Sequence, residues 1–114
     1  MIVVAVDFDG TITQQHDYPE IGAINPLAKM VLPGLKKSGV VLILWTCREG
    51  QHLKDAVDFC KFHGIEFDAV NENAPNLPFS TSRKIYADIY IDDRAIPVDW
   101  ILLTQRVNML KLNH

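Results

Sequence analysis

Long apolar runs alternate with polar stretches along the chain, and four of the runs predict β-strands. They cover residues 2–6, 40–45, 67–70 and 88–91. The first two runs are continuous, which is typical of strands buried on both faces in the middle of a parallel sheet. The start of the fourth is open: residues 85–87 either extend it backward or belong to a helical turn capped by Thr81 or Ser82.

Three amphipathic stretches with the spacing of α-helices lie between and after these runs. The first helix is expected to begin at Asn25, a good N-cap, with Pro26 in its first turn. Pro33 lies inside this stretch and is expected to kink the helix or to split it into two pieces. Residues 51–63 predict the second helix, and Asp99 is expected to cap the third.

The order of these elements predicts an α/β fold. Strands that alternate with helices form a parallel sheet joined by right-handed crossovers. We therefore expect a doubly wound three-layer sandwich with about four parallel strands, the first strand near the centre, and helices on both faces. The 114 residues match the size of one domain, so residues 1–114 are interpreted as a single domain.

Composition narrows the classes of function. The formal net charge of −3 argues against general binding of nucleic acid. Cys47 and Cys60 have no zinc-ligand spacing and are expected to be reduced thiols. No targeting segment is visible and no apolar run approaches the length of a membrane span, so we expect a cytoplasmic protein that does not enter the membrane.

Three of the apolar runs end in polar side chains that have chemical uses. Asp7 follows the first run, Thr46 the second and Asp92 the fourth. Because the carboxyl ends of parallel strands lie at one edge of the sheet, these residues should converge there. Asp7 and Asp9 would repel each other at this edge, and a bound cation is the usual remedy. Such oxygen ligands suit Mg²⁺, and together with a hydroxyl they suit phosphoryl transfer through an aspartyl-phosphate.

The same residues carry a resemblance to a known family. The sequence Asp7-Phe8-Asp9-Gly10-Thr11 matches the first motif of the haloacid dehalogenase (HAD) superfamily of phosphohydrolases. Thr46 matches the second motif, Lys84 is the candidate for the third, and Asp92-Asp93 matches the fourth. The chain therefore resembles HAD phosphatases from residue 2 to about residue 93, which implies a HAD-like fold of the Rossmann type.

The resemblance implies a role for each acid. Asp7 would be the nucleophile that accepts the phosphoryl group. Asp9 would protonate the leaving group and then activate water as a base, and its backbone carbonyl would bind Mg²⁺. Asp92 would complete the metal site, with Asp93 bound to the metal directly or through water.

The resemblance also implies contacts with a phosphorylated substrate. Thr46 would donate a hydrogen bond to a phosphoryl oxygen, and Gly10 and Thr11 of the first motif are assigned to substrate binding. Arg48 follows the second strand closely and is a candidate for binding the substrate phosphate or another anionic group. The identity of the phosphorylated substrate is left open by these residues.

The positive charge of the site depends on the fourth strand. If residues 85–91 formed one strand, its rise would leave Lys84 about 20 Å from the carboxyl edge. We therefore expect Lys84 in a helical turn that precedes a short strand. If this expectation fails, Arg48 or Arg94 must supply the charge.

Members of this superfamily often carry a cap domain at one of two places. Here the corresponding segments are residues 10–24, which we call the flap, and residues 71–83. Neither is long enough to form a domain, so we expect a capless protein with an open site. Such a site accommodates a large substrate, or a second subunit of a homo-oligomer closes it.

Two other functions stay open at this point. A receiver-like phosphoacceptor domain has a similar length, a parallel sheet and an aspartate–Mg²⁺ site, but its acceptor follows the third strand. Here the third strand ends at Val70 with Asp68 inside it, and the second acidic pair comes last. A noncatalytic domain of the same fold, which binds a partner or a nucleotide, is the other alternative.

Overall fold

A parallel sheet of four strands forms the centre of the protein. The computed structural model describes residues 1–95 and 98–113. In the spatial order β3-β2-β1-β4, the strands are β1 (Val3–Val6), β2 (Val41–Leu44), β3 (Ala69–Val70) and β4 (Ile89–Ile91). The predicted α/β fold with about four parallel strands is confirmed. As expected, β1 lies inside the sheet, between β2 and β4.

The register of the sheet brings the polar strand ends level with one another. Val6 pairs with Leu44 of β2 and with Ile91 of β4. The next residue, Asp7, donates its backbone amide to the carbonyl of Ile91 at 2.9 Å. Asp7 and Asp92 therefore leave adjacent strands at the same edge, as predicted for the carboxyl ends of parallel strands.

Three helices follow the amphipathic pattern of the sequence. They are α1 (Pro26–Lys37), α2 (Gly50–Phe62) and α3 (Trp100–Leu112). Asn25 caps α1 by accepting a hydrogen bond from a backbone amide of the first turn, and Asp99 caps α3 in the same way. Both cysteines are free thiols, and Cys60 of α2 is buried in the core. In the described part of the chain, no helix combines the length and the apolar character needed to cross a membrane.

Helix α1 continues through Pro33, so the split into two pieces that the sequence suggested is wrong. A proline inside a helix removes one backbone hydrogen bond. Leu32 and Leu35 are buried on either side of Pro33. Their packing against the core holds both parts of the helix, because tertiary burial outweighs local propensity.

The two faces of the sheet are covered differently. Val4 and Val6 of β1 pack into a cluster that contains residues of all three helices. Val3 and Ala5 pack on the opposite face, against the irregular segment 71–88. The sandwich has three layers, but the expectation of helices on both faces is wrong: among the described residues, helices cover one face only. Segment 71–88 is rich in Asn and Pro at its start and has no apolar stripe from which a helix could be built.

Side chains fasten segment 71–88 to the sheet. Asn73 accepts a hydrogen bond from the amide of Tyr86 at 2.8 Å. Asp88 accepts one from the amide that begins β1, at 2.7 Å. Residues 82–84 form a bend and residues 85–87 have no regular structure, so the helical turn expected around Lys84 is wrong, whereas the short fourth strand is confirmed.

Candidate functional site

A cavity of about 480 Å³ opens at the carboxyl edge of the sheet. Its walls come from residues that follow β1, β2 and β4 and from the flap. The lining residues are Asp7, Asp9, Gln15, His16, Tyr18, Cys47, Arg48, Asp92, Asp93 and Arg94. Most of these side chains are ionisable, so the cavity suits a charged ligand better than an apolar one.

Three carboxylates converge in this cavity. One oxygen from each of Asp7, Asp92 and Asp93 lies within 4.8 Å of the other two. Burial and, after it, the negative charge of Asp92 raise the pKa of Asp7 from its usual 3.8 to about 7. A divalent cation would offset this repulsion, and carboxylate oxygens are the hard ligands that Mg²⁺ prefers. The donor set therefore fits the predicted metal.

The turn after Asp7 holds these carboxylates in place. The Thr11 hydroxyl donates to Oδ2 of Asp7 at 3.1 Å and accepts from the amide of Asp93 at 2.9 Å. Gly10 has a φ of +80°, and a Cβ atom there would lie 2.4 Å from Oδ2 of Asp93. Only glycine avoids this clash in that backbone conformation. Since Thr11 is also buried, Gly10 and Thr11 position the acids here, although the sequence assigned them to substrate binding.

Arg48 is 2% exposed, although it lines the cavity. Its Nε and one Nη donate to the two carboxylate oxygens of Asp9, at 2.8 and 2.7 Å. The remaining N–H groups donate to the backbone carbonyls of Pro19, Glu20 and His52. All five N–H groups of the guanidinium are thus used within the protein. In this geometry Arg48 has no donor left for a substrate phosphate, the role that the sequence suggested.

Two aromatic rings complete the surroundings of Arg48. Its Cζ lies 5.1 Å from the ring centroid of Phe8 and 5.1 Å from that of Tyr18. Aromatic faces attract a guanidinium and tolerate its partial loss of water. The hydrogen-bonded carboxylate of Asp9 raises the pKa of Arg48 against the opposing effect of burial. Arg48 is therefore a permanent buried cation whose main counterion is Asp9.

Thr46 lies at the end of β2, as predicted, but its contacts are with the loops. Its amide donates to Oδ1 of Asn71 at 2.8 Å, and its hydroxyl oxygen accepts from the amide of Arg48 at 3.2 Å. This second bond uses a lone pair of the hydroxyl and leaves its hydrogen to donate. Thr46 is half-buried beside Cys47 and Arg48, which line the cavity.

Lys84 and Arg94 occupy different places relative to the acids. Lys84 is exposed, and its Nζ lies over the ring of Tyr90 at 5.0 Å from the centroid. Arg94 is exposed and lines the cavity beside Asp92 and Asp93. Among the described residues that line the cavity, the arginines are Arg48 and Arg94. Lys84 is not one of the lining residues.

Two residues of this edge were not singled out as site residues from the sequence. Gln15 donates from Nε2 to Oδ2 of Asp93 at 2.6 Å, which ties the flap to the acid cluster. Asn71, which follows β3 with a φ of +54°, holds the backbone at Thr46. Asn at the end of a strand is a turn signal, whereas nothing local in the sequence marks Gln15.

No protein-family model matches the chain, and no curated protein matches it. Among solved structures, a conserved protein from Bacteroides thetaiotaomicron is similar to it, with a TM-score of 0.82 and 40% sequence identity. The similarity covers 95% of this chain and 90% of that chain. The shared fold and identity thus extend over nearly the whole length of both proteins, and the chain belongs to the same family as this conserved Bacteroides protein.

Proposed function

We propose that the chain is a Mg²⁺-dependent phosphatase of the HAD type, which transfers a phosphoryl group to Asp7. The observation that carries the proposal is the cluster of Asp7, Asp92 and Asp93 carboxylates within 4.8 Å at the end of the central strands. Carboxylates this close to one another disfavour full ionisation, and a bound cation would relieve their repulsion. Burial and, to a smaller extent, the charge of Asp92 raise the pKa of Asp7 to about 7.

Asp7, Asp92 and Asp93 would hold the metal, which would neutralise negative charge shared between the nucleophile and the phosphoryl oxygens. With that charge offset, Asp7 is a carboxylate at neutral pH and can act as a nucleophile. The Thr11 hydroxyl orients one of its oxygens through the 3.1 Å hydrogen bond. The other oxygen of Asp7 is the one available for attack.

The proposed reaction has two steps. In the first, an Asp7 oxygen forms a bond to phosphorus, the ester oxygen leaves, and Asp9 gives that oxygen its proton. In the second, water attacks the phosphorus of the aspartyl-phosphate, Asp9 takes a proton from the water, and the carboxylate of Asp7 is regenerated with release of phosphate. Thr46 and the exposed Arg94 are the donors proposed for the phosphoryl oxygens.

The open cavity suits a phosphorylated substrate whose remainder extends into solvent, because residues 10–24 and 71–83 supply short covers only. A second copy of the chain could close the same opening. We propose a capless phosphatase located in the cytoplasm. A screen of phosphate esters would identify the substrate.

A screen of phosphate esters tests this proposal. p-Nitrophenyl phosphate and a panel of metabolite phosphates are incubated with the protein in Mg²⁺ and, separately, in EDTA. The expected result is release of phosphate that requires Mg²⁺. Absence of turnover on the whole panel in Mg²⁺, or equal turnover in EDTA, would contradict the proposal.

One observation favours a second candidate, a noncatalytic domain that binds Mg²⁺ and phosphate. Both oxygens of Asp9 are held by Arg48, so Asp9 is not free to move a proton in this conformation. If this candidate is correct, Mg²⁺ with beryllofluoride stabilises the protein against heat while no ester of the panel is hydrolysed. A receiver-like acceptor is not favoured, because Asp68 lies before β3, at the opposite end of the strand from the carboxyl edge.

A further inference from the structure

Arg48 joins parts of the chain that are distant in sequence. Its acceptors are a carboxylate 39 residues earlier, on Asp9, two flap carbonyls, on Pro19 and Glu20, and a carbonyl of α2, on His52. An arginine with five N–H groups can satisfy such a set only in one orientation, because its guanidinium is rigid and planar. Moving any one acceptor therefore disturbs the bonds to the others.

The bonds to Asp9 form a two-point contact. Nε reaches one carboxylate oxygen at 2.8 Å and Nη2 reaches the other at 2.7 Å. Bidentate pairs of this kind fix the plane of the carboxylate as well as its distance. The Asp9 side chain is nevertheless 40% exposed toward the cavity, whereas that of Arg48 is 1% exposed. Arg48 is thus the fixed partner, and Asp9 is the one with room to move.

The flap depends on the same guanidinium. At its base the flap is closed by a bridge between Thr13 and Ile24 and by a bond from the amide of Gln14 to the carbonyl of Ala23. Farther out, Arg48 accounts for the bonds that anchor the carbonyls of Pro19 and Glu20, at 3.0 and 3.1 Å. Arg48 therefore supplies two of the contacts that hold the outer part of the flap, in addition to the hydrogen bond from Gln15 to Asp93.

We infer that Arg48 is a positioning residue that ties the carboxylate of Asp9 to the backbone of the flap, so that release of Asp9 loosens the flap over the site. To move a proton, Asp9 must release at least one oxygen from Arg48. That release removes charge-assisted hydrogen bonds from the guanidinium and weakens its hold on the flap carbonyls. The inference rests on the proposed function where it concerns proton transfer, but the coupling itself can be measured without turnover.

Amide hydrogen exchange by NMR on the full-length chain without Mg²⁺ tests the coupling. The reporter is the amide of Glu20, which donates to the carbonyl of Asp17 within the flap. The reference is the amide of Trp45, which donates to the carbonyl of Val6 in the sheet. Asp9→Asn keeps the size of the side chain but replaces one acceptor oxygen by a donor that faces the guanidinium.

We expect Asp9→Asn to speed exchange at Glu20 by about tenfold, as expected for loss of charge-assisted bonds, while the Trp45 amide stays within about twofold. Arg48→Lys should do the same, since an ammonium cannot reproduce the fork. Lys54→Met is the matched control, because it removes an exposed ion pair of α2 with Asp58, and it should change neither amide. Unchanged exchange at Glu20 in Asp9→Asn would overturn the coupling, and so would equal acceleration at Glu20 and Trp45.

Steady-state kinetics on any ester that the wild type hydrolyses separates positioning from a purely structural role. Arg48→Met should lower kcat by about 10²-fold with little change in KM, since displacing Asp9 by about 1 Å misaligns proton transfer. Arg48→Lys should recover part of that loss. If the wild type hydrolyses no ester but Asp9→Asn still frees the flap, the proposed function fails and the coupling stands. If hydrolysis is found and exchange at Glu20 does not change in Asp9→Asn, the coupling alone fails.

Discussion

Asp7 and Asp9 lie two residues apart at the end of the same strand, yet their charges are balanced in opposite ways. Asp9 has a buried arginine as its partner, at 2.7 and 2.8 Å. Asp7 faces two other carboxylates, and its pKa rises to about 7 through burial and the charge of Asp92. The fold itself supplies a counterion for Asp9, whereas Asp7 has two further carboxylates as neighbours. This difference supports the proposal that Asp7, rather than Asp9, faces the bound ligand.

The largest expected effect comes from replacing Asp7 itself. Asp7→Asn keeps the side-chain volume and the hydrogen bond with Thr11 but removes the nucleophile. Phosphate release should fall by at least about 10³-fold, because loss of a covalent nucleophile leaves only binding and electrostatic terms. Phosphate release by Asp7→Asn at the wild-type rate would show that the acceptor lies elsewhere.

Removing Arg48, the partner of Asp9, should mainly lower the stability of the fold. Arg48→Met removes a buried cation and leaves the flap carbonyls without their donors. The free energy of unfolding should fall by about 3 kcal/mol, because the charge-assisted hydrogen bonds to Asp9 and to the flap carbonyls are lost together. Urea denaturation monitored by tryptophan fluorescence measures this loss.

Lys54→Met is the reference variant for the measured loss of unfolding free energy. Its ion pair with Asp58 is exposed and joins residues one helical turn apart. Such pairs contribute only about 0.3–0.5 kcal/mol. If Arg48→Met costs no more than Lys54→Met, the five bonds of Arg48 do not stabilise the fold, and the contrast between the two acids loses its basis.

A smaller effect is expected on the pH dependence of stability. Because the pKa of Asp7 is raised from 3.8 to about 7 in the folded, metal-free protein, the folded chain binds more protons than the unfolded chain between these values. Its stability should therefore fall as the pH rises from about 4 to about 7, and then level off. We expect a loss of about 2 kcal/mol, less than full linkage because the carboxyl is only partly buried.

Asp7→Asn isolates this contribution from the other titrating groups. The difference in unfolding free energy between Asp7→Asn and the wild type, both in EDTA, should increase in favour of the variant from pH 4 to pH 7. Saturating Mg²⁺ should remove the wild type's penalty at pH 7, since a bound cation takes over the neutralisation. A difference that is constant with pH would mean that the pKa of Asp7 is not raised in the folded protein.

The sheet and the positions of the acids at its edge could be predicted from the sequence. The runs around β1 and β2 are continuous and apolar, and parallel strands must bring their carboxyl ends together, so the positions of Asp7 and Asp92 could be predicted from the sequence. The counterion of Asp9 could not be found in this way. Arg48 lies 39 residues from Asp9, and no local pattern records a contact made by two loops.

The irregular cover of the sheet escaped prediction for a related reason. Segment 71–88 is held by single side-chain contacts, such as those of Asn73 and Asp88 with backbone amides. These contacts have no period along the sequence, unlike the stripes that predict helices. The placement of Lys84 depended on this segment, and the expected helical turn was therefore wrong.

The smallest expected effect is that of replacing Lys84. It tests whether Lys84 or Arg94 supplies the positive charge of the site. Lys84 lies over the ring of Tyr90, whereas Arg94 lines the cavity beside Asp92 and Asp93. Lys84→Ala should change kcat/KM for any hydrolysed ester by less than about twofold, because an exposed cation–π contact contributes little and touches no reacting group. Arg94→Ala, measured in parallel, should raise KM by about tenfold through loss of a phosphate contact. The reverse order of the two effects would mean that Lys84 reaches the substrate in a conformation in which segment 71–88 has moved, and the positive charge of the site would then come from the position that the sequence motif first suggested.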